Sequence, residues 1–323
     1  MQTTAIRPPS PARVAIIGGG QNTEHDVSLA SAAAVLAAID PARFVAVPLT
    51  IERDGRWTHE GERISLSAAI AVLQSCDVAF PVLHGPRGED GTVAALLDLA
   101  GVPYVGSGVR AGALAMDKWT TKLVAQAVGV ATAHGVLVRP ADPPVALETP
   151  LVVKPVASGS SFGVSLVEDP ALLADAVAEA FTHDDRVLVE QRVVGREVDI
   201  AVLARPDGSR VVGAPLEIVV AAGLFDLDTK YDGSADFRVP AELTAEIRHE
   251  LERAAVTMFD ALGCAGVARV DFFVTESGVV LNEVNTMPGM TGLSQVPRMF
   301  AAAGTPYPEL IGTLIGDVIA SAR

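Results

Sequence analysis

The chain has 323 residues, of which half are hydrophobic and a fifth are charged, so it is long enough for two or three packed domains and too apolar for a disordered protein. Its formal net charge of −15 argues against nucleic acid or an anionic membrane surface as a partner. The longest charge-free run, 123–138, is shorter than a membrane span, and two isolated cysteines agree with a reducing cytoplasm. We therefore predict a cytoplasmic protein.

The first part of the chain alternates strand and helix patterns. Strands are predicted at 13–17, 44–49 and 78–82, and helices at 28–39 and 67–74. This alternation predicts a parallel sheet with helices on both faces. The glycine-bearing stretch 106–108 predicts that an N-terminal domain spans 1–108.

The rest of the chain divides into a central part and a C-terminal part. For a central domain at 109–191 the pattern predicts helices at 111–128 and 170–181 and strands at 151–155, 164–167 and 187–191. For a C-terminal domain at 192–323 it predicts strands at 198–204 and 211–218, a helix at 241–262, a hairpin of 267–274 with 279–284, and a last helix at 308–321. The polar, glycine-bearing loop 223–240 is predicted to be a mobile lid.

The predicted hairpin carries a group of oxygen ligands. Folding it places Asp271 beside or diagonal to Glu283, and Asn285 shares the face of Glu283 because it lies two residues further along the strand. Two carboxylates and an amide oxygen suit Mg²⁺ that also binds substrate phosphates. A polar outer face on a half-exposed strand would explain the same residues about equally well.

Other polar features are ambiguous when each is taken alone. The glycine-serine loop 154–163 could hold phosphate oxygens through backbone N–H groups, although a plain turn between strands is the simpler explanation. The glycines at 18–20 suit a tight turn before a helix, and the stretch 24–28 places carboxylates at the N-terminus of that helix, where an acid could cap the helix or bind the ammonium group of a ligand. His84 follows the third strand at its C-terminal end, where open α/β sheets bind ligands.

Taken in chain order, these features resemble the D-alanine–D-alanine ligase family. The matching segments are EHDVS at 24–28, HGPRGEDG at 84–91, MDK at 116–118, KP at 154–155 with GSSFG at 159–163, TKY at 229–231, RVD at 269–271 and NEVNTMPGMT at 282–291. The resemblance implies an α/β, three-domain ATP-grasp fold with an N-terminal parallel-sheet, Rossmann-like domain. It also implies a cytoplasmic, ATP-dependent ligase that joins two D-alanine molecules through an acyl phosphate for peptidoglycan synthesis.

The resemblance also assigns site residues. It implies catalytic roles for Asp26, Ser160, Tyr231, Arg269 and Gly289, and substrate binding by His84, Asp26, Ser294, Gln295 and Arg269. It implies ATP binding by Lys118, Lys154, Ser160, Ser161, Glu190, Val193, Glu197 and Lys230, and metal binding by Asp271, Glu283 and Asn285. The implied cofactors are ATP and two Mg²⁺ ions, with Mn²⁺ as an alternative. The implied assembly is a homodimer, with no nucleic acid or membrane partner.

Three departures from the family leave the amino-acid substrates open. Asp26 stands where a glutamate is usual, and Leu293 and Gln295 flank Ser294 with unusual side chains. A shorter acid predicts a first-substrate pocket that selects D-alanine less strictly. The alternatives are a ligase that makes another dipeptide or a depsipeptide, and a nucleotide-binding protein without turnover. Tyr231 favours an amine acceptor, because D-lactate-joining relatives lack this tyrosine.

Overall fold

Three β-sheets carry the fold in the computed structural model, which describes residues 11–143, 145–159, 162–219 and 236–322. The first sheet has the strand order β4-β3-β2-β1-β5, and β1 pairs in parallel with both β2 and β5. The predicted parallel sheet is therefore confirmed, whereas the short antiparallel hairpin β3–β4 at its edge was not predicted. The elements of this first unit of the chain are β1 (Ala12–Gly19), α1 (His25–Ala38), β2 (Phe44–Ile51), β3 (Trp57–His59), β4 (Glu62–Ile64), α2 (Leu66–Gln74), β5 (Val78–Pro81) and α3 (Thr92–Ala100).

The second sheet is antiparallel, in the order β6-β9-β7-β8. The single helix predicted at 111–128 is instead two helices, because Asp117 adopts an extended backbone between them and caps the second one. Its carboxylate accepts a hydrogen bond from the Thr120 N–H at 2.7 Å. The elements are α4 (Val109–Met116), α5 (Lys118–Ala127), β6 (Gly135–Val138), β7 (Leu151–Pro155), β8 (Ser165–Val167), a 3₁₀ turn (Pro170–Leu172), α6 (Leu173–Ala180) and β9 (Val187–Gln191).

The third sheet is also antiparallel, in the order β13-β12-β10-β14-β15, with β11 paired to β10. The predicted hairpin is confirmed as β14–β15. The strand predicted at 211–218 is two strands, since Gly213 and Pro215 interrupt it. The elements are β10 (Arg196–Ala204), β11 (Arg210–Val212), β12 (Leu216–Val219), β13 (Asp236–Arg238), α7 (Ala245–Leu262), β14 (Val267–Thr275), β15 (Gly278–Asn285), α8 (Gln295–Ala302) and α9 (Tyr307–Ser321).

The hydrophobic cores do not follow the chain order. One core joins the first sheet to the third unit, with Val14 and Phe80 in the same cluster as Leu216 and Phe300. A second core packs α4 and α5 against α7 and the third sheet. The second sheet has a separate core with α6, which includes Val153 and Val189. The first and third units are therefore held together by shared apolar burial.

Several predictions concern residues that the structure does not describe. Most of the predicted lid lies outside the described residues, and its last part, Asp236–Arg238, is the short strand β13. Ser160, Ser161, Lys230 and Tyr231 also lie outside them. Among the residues that the structure describes, no helix combines the length and the apolar character needed to cross a membrane.

Candidate active site

A cavity of about 470 Å³ lies where the three sheets meet. Glu24 and Glu89 come from the first unit, Lys154 from the second sheet, and Asp271 and Glu283 from the third. An apolar wall lies beside these charged groups, and its side chains are Val152, Phe162, Val164, Ile218 and Phe273. The combination of an apolar wall with several charged groups is typical of a small-molecule site.

The predicted oxygen ligands converge at one side of this cavity. Asp271 faces Glu283 across the β14–β15 hairpin, and both line the cavity together with Asn285. The amide oxygen Oδ1 of Asn285 is buried and accepts no hydrogen bond from the described part of the chain. A buried acceptor without a donor suits a cation, so the oxygen donors present fit the Mg²⁺ that the sequence predicts.

Arg269 forms hydrogen bonds with the carboxylate of Asp271, which is one of the predicted metal ligands. Its Nε and Nη2 donate to the two oxygens of Asp271 at 2.7 and 2.6 Å. Burial of Arg269 favours its neutral form, but the charges of Asp271 and Asp199 outweigh burial and raise the pKa of Arg269. Arg269 therefore stays cationic, and Asp271 must share its oxygens between this guanidinium and any ion.

The lysines of the site have acidic partners. Lys118 donates to the Ser158 carbonyl at 2.8 Å and lies 3.5 Å from Glu283. Lys154 lies 2.5 Å from one oxygen of Glu190, and Lys122 lies 2.8 Å from the other. Burial alone would raise the pKa of Glu190, but the two lysines lower it, so this carboxylate is charged. The sequence analysis missed Lys122, because nothing in the chain order relates it to Glu190.

The two acidic residues at the start of α1 have different surroundings, and the prediction for Asp26 is wrong. The Asp26 side chain is 79% exposed and pairs with Arg53 at the surface at 2.7 Å. Glu24 instead lines the cavity, where its carboxylate lies so close to Gly85 and Gly159 that a side chain at either glycine would overlap it. The acid that faces the site is therefore Glu24, a glutamate, and not Asp26.

Glu89 is a second acid beside Glu24 that the sequence analysis did not single out. Its Oε1 accepts a hydrogen bond from the Gly85 N–H at 3.1 Å, and its Oε2 is buried with no partner in the described part of the chain. Burial, followed by the charge of Glu24, raises the pKa of Glu89 to about 8. Glu89 therefore keeps its proton at neutral pH.

This raised pKa makes stability depend on pH. In the folded protein Glu89 keeps its proton up to about pH 8, whereas in the unfolded chain it loses it near pH 4.5. Because the folded state binds the extra proton, the contribution of Glu89 to stability is full below about pH 4.5 and is lost as the pH rises through 8. We expect Glu89→Gln, which resembles the protonated form, to raise the free energy of unfolding by roughly 2 kcal/mol at pH 8.5.

Urea unfolding at pH 5 and pH 8.5 checks this prediction. Glu242→Gln is the matched control, because Glu242 is exposed and the same chemical change there should leave the pH dependence unaltered. The prediction would be contradicted if Glu89→Gln and the wild type lost the same free energy of unfolding between pH 5 and pH 8.5.

His84 is buried and forms hydrogen bonds at both ring nitrogens. It is not among the described residues that line the cavity. Its Nδ1 lies 2.7 Å from the Met287 carbonyl, which can only accept, so this nitrogen carries the hydrogen. Its Nε2 lies 3.1 Å from the Ser31 hydroxyl, which in turn accepts from the Met290 N–H at 3.2 Å. Burial lowers the pKa of His84, so this neutral ring joins the first unit to the loop after β15.

The remaining predicted residues fall into two groups. Val193 and Glu197 line the cavity at the start of β10 and just before it. Gly289, Ser294 and Gln295 lie on the loop after β15 and at the start of α8 and are not among the described lining residues. At Gly289 a Cβ would come within 3.0 Å of the Ser294 hydroxyl, which pairs with the Thr291 hydroxyl at 2.8 Å. The loop therefore packs closely around Gly289.

Comparisons with known proteins show the family to which this chain belongs. Models of the D-ala D-ala ligase N-terminus and C-terminus match residues 13–71 with 59–107 and residues 140–316. The D-alanine--D-alanine ligase of Nocardia farcinica (strain IFM 10152) is 43% identical, over 95% of this chain and 97% of that protein.

Solved structures extend the comparison to the fold. VanG D-Ala:D-Ser ligase from Enterococcus faecalis matches with a TM-score of 0.85 and 36% identity, over 96% of this chain and 100% of that chain. D-alanine--D-Alanine Ligase from Bacillus anthracis complexed with ATP matches with a TM-score of 0.80 and 29% identity, over 96% and 98% of the two chains. The predicted ATP-grasp fold is confirmed by these neighbours.

Proposed function

Because the chain belongs to the D-alanine–D-alanine ligase family, we propose that it uses ATP to join two D-alanine molecules for peptidoglycan synthesis. The observation that carries this proposal is a single cavity with three kinds of polar group. Lys118 and Lys154 suit phosphates, the oxygens of β14 and β15 suit the accompanying cation, and Glu24 suits a substrate ammonium group. One cavity can therefore hold ATP beside an amino acid.

The resemblance to the family implies a reaction in two steps. The carboxylate of the first D-alanine attacks the γ-phosphate of ATP, which gives an acyl phosphate and ADP. The amine of the second D-alanine then attacks the acyl carbon and loses a proton, and phosphate leaves with the bonding electrons. A pocket closed to water protects the acyl phosphate from hydrolysis.

The nucleotide would lie along the second and third sheets. Glu190, the Val193 backbone and Glu197 would bind adenine and ribose, and Lys118 and Lys154 would hold the phosphates. Ser160, Ser161 and Lys230 remain predicted ATP ligands outside the described residues. Lys122 adds a cation that keeps Glu190 charged and in place.

Asp271, Glu283 and Asn285 would hold Mg²⁺, and we propose two ions, with Mn²⁺ as an alternative. Bound there, the ions would neutralise phosphate charge during transfer. Glu283 lies 3.5 Å from the ammonium group of Lys118, which supports the metal site. Lys118 and an ion held by Glu283 would both lie beside the same phosphates.

Glu24 would pair with the ammonium of the first D-alanine, and the neutral Glu89 beside it would donate a hydrogen bond. Arg269 and the Gly289 N–H would stabilise the oxyanion of the tetrahedral intermediate, and Arg269 with Ser294 would bind the second carboxylate. Tyr231 remains a predicted catalytic residue outside the described part of the chain.

We also propose a cytoplasmic homodimer whose chain divides into domains at 1–108, 109–191 and 192–323, with the lid at 223–240. The positions of the sheets support the division, because each range contains one of them. Size-exclusion chromatography with light scattering tests the dimer.

The function is tested by phosphate release from ATP and Mg²⁺ with single amino acids. We expect D-alanine alone to give equal amounts of ADP, phosphate and dipeptide, and L-alanine to give none. D-serine must also be tested as the second substrate, because VanG is named a D-Ala:D-Ser ligase and shares 36% identity with this chain. Phosphate release that requires D-serine or D-lactate beside D-alanine would replace the proposed product with a mixed one.

A further inference from the structure

Gln295 begins α8 beside the cavity, and its side-chain amide joins Arg269 to the buried Asp199. Its Oε1 accepts from Nη1 of Arg269 at 2.5 Å, and its Nε2 donates to Oδ2 of Asp199 at 2.7 Å. Both ends of the amide are thus used within the protein. Such an amide is better placed to orient Arg269 than to bind a substrate directly.

Asp199 is the buried end of this arrangement. It lies on β10 opposite Asp271 of β14, and its side chain has no exposed surface. Its Oδ2 lies 3.5 Å from Nε of Arg269, while its Oδ1 has no hydrogen-bond partner among the described residues. Burial, followed by the charge of Asp271, raises the pKa of Asp199 well above its usual range, and the positive charge of Arg269 opposes that rise.

Arg269 therefore has two sets of partners. Nε and Nη2 donate to Asp271, whereas Nη1 is held by Gln295 and the guanidinium lies near Asp199. Asp271 is also a proposed metal ligand, so its oxygens would be shared between Arg269 and the ion. Among the described residues, Gln295 and Asp199 are the partners of the guanidinium that are not proposed metal ligands.

We infer that Gln295 and Asp199 are positioning residues that hold the Arg269 guanidinium on the reacting carboxyl group. The inference rests on the proposed function and changes the role predicted for Gln295 from substrate binding to support of Arg269. Neither residue needs to touch a substrate. Their effect should therefore appear in steps that use Arg269 and not in ATP binding.

Gln295→Met tests this, because methionine keeps the size of the side chain and removes both hydrogen bonds. We expect kcat/KM for the second D-alanine to fall about 10-fold or more, the loss typical of a hydrogen bond to a charged group, with KM for ATP unchanged within twofold. Gln126→Met is the matched control, since Gln126 is exposed on α5 and should leave both parameters unchanged.

Asp199→Asn and the double variant supply a second measurement that needs no activity. Unfolding of the ligand-free protein in urea should give non-additive effects for the two substitutions, because both act on one hydrogen-bonded group. Additive effects, or an active Gln295→Met protein with wild-type kcat/KM for the second D-alanine, would overturn the inference alone. A wild-type protein that releases no phosphate with D-alanine would overturn the proposed function, and this inference with it.

Discussion

Glu283→Gln is expected to lower kcat by about 100-fold or more, because a neutral amide is a weaker ligand than a carboxylate for the Mg²⁺ that Glu283 is proposed to hold. Glu283 lies opposite Asp271 on the hairpin, lines the cavity and is 3.5 Å from Lys118. The substitution keeps the size of the side chain and a hydrogen-bond acceptor. Steady-state phosphate release over a range of Mg²⁺ concentrations measures the effect, and chelation of the metal should abolish activity in the wild type.

Glu276→Gln is the control for this substitution. Glu276 is exposed in the turn of the same hairpin, so its loss of charge should change kcat by less than twofold. Near-normal turnover of Glu283→Gln at ordinary Mg²⁺ would remove Glu283 from the proposed metal ligands.

The second large effect is expected at Glu24. Glu24→Gln should lower kcat/KM for the first D-alanine by about 100-fold or more, since the substrate ammonium would be buried without its partner charge. Asp26→Asn should change it by less than twofold, because Asp26 forms only a surface pair with Arg53. Initial rates at varied D-alanine concentration, with ATP saturating, compare the two variants directly.

A large loss in Asp26→Asn with little effect in Glu24→Gln would contradict the assignment and restore the original prediction from the sequence. Because Glu24 and not Asp26 faces the cavity, looser selectivity for D-alanine is no longer expected. It depended on an acid one methylene shorter than usual, and Asp26 lies at the protein surface.

The choice between these acids shows what the sequence contained and what was missed. The buried face of α1 carries Ser28, Ala32 and Val35. Four residues before Ser28 is Glu24, which therefore lies on the same side, whereas Asp26 is turned away by its position in the helical period. The helix predicted at 28–39 leaves Glu24 four residues outside it, whereas α1 begins at His25, directly after Glu24. The helical period could therefore identify Glu24 only once the true start of the helix is known.

Most strands could be predicted because buried apolar runs bounded by turns leave few alternatives, and β14–β15 is the best example. The strands β3 and β4 could not be predicted, because three residues are too few to show a strand periodicity. The contacts of Gln295 with Asp199 join residues 96 positions apart, and those of Ser31 with Met290 join residues 259 apart. Local patterns carry no information about such pairs, so these parts of the site required the structure.

The shared core has a consequence for how the cavity admits ATP. Val14 and Phe300 belong to one cluster, so separating the first and third units would expose a large apolar surface. The second sheet keeps its own core, so a movement of this sheet would leave the shared core buried. We therefore expect the first and third units to unfold together in one cooperative transition. The hinge for nucleotide entry should lie at the ends of the second sheet, and a chain cut after residue 108 should yield two fragments that aggregate unless they are mixed.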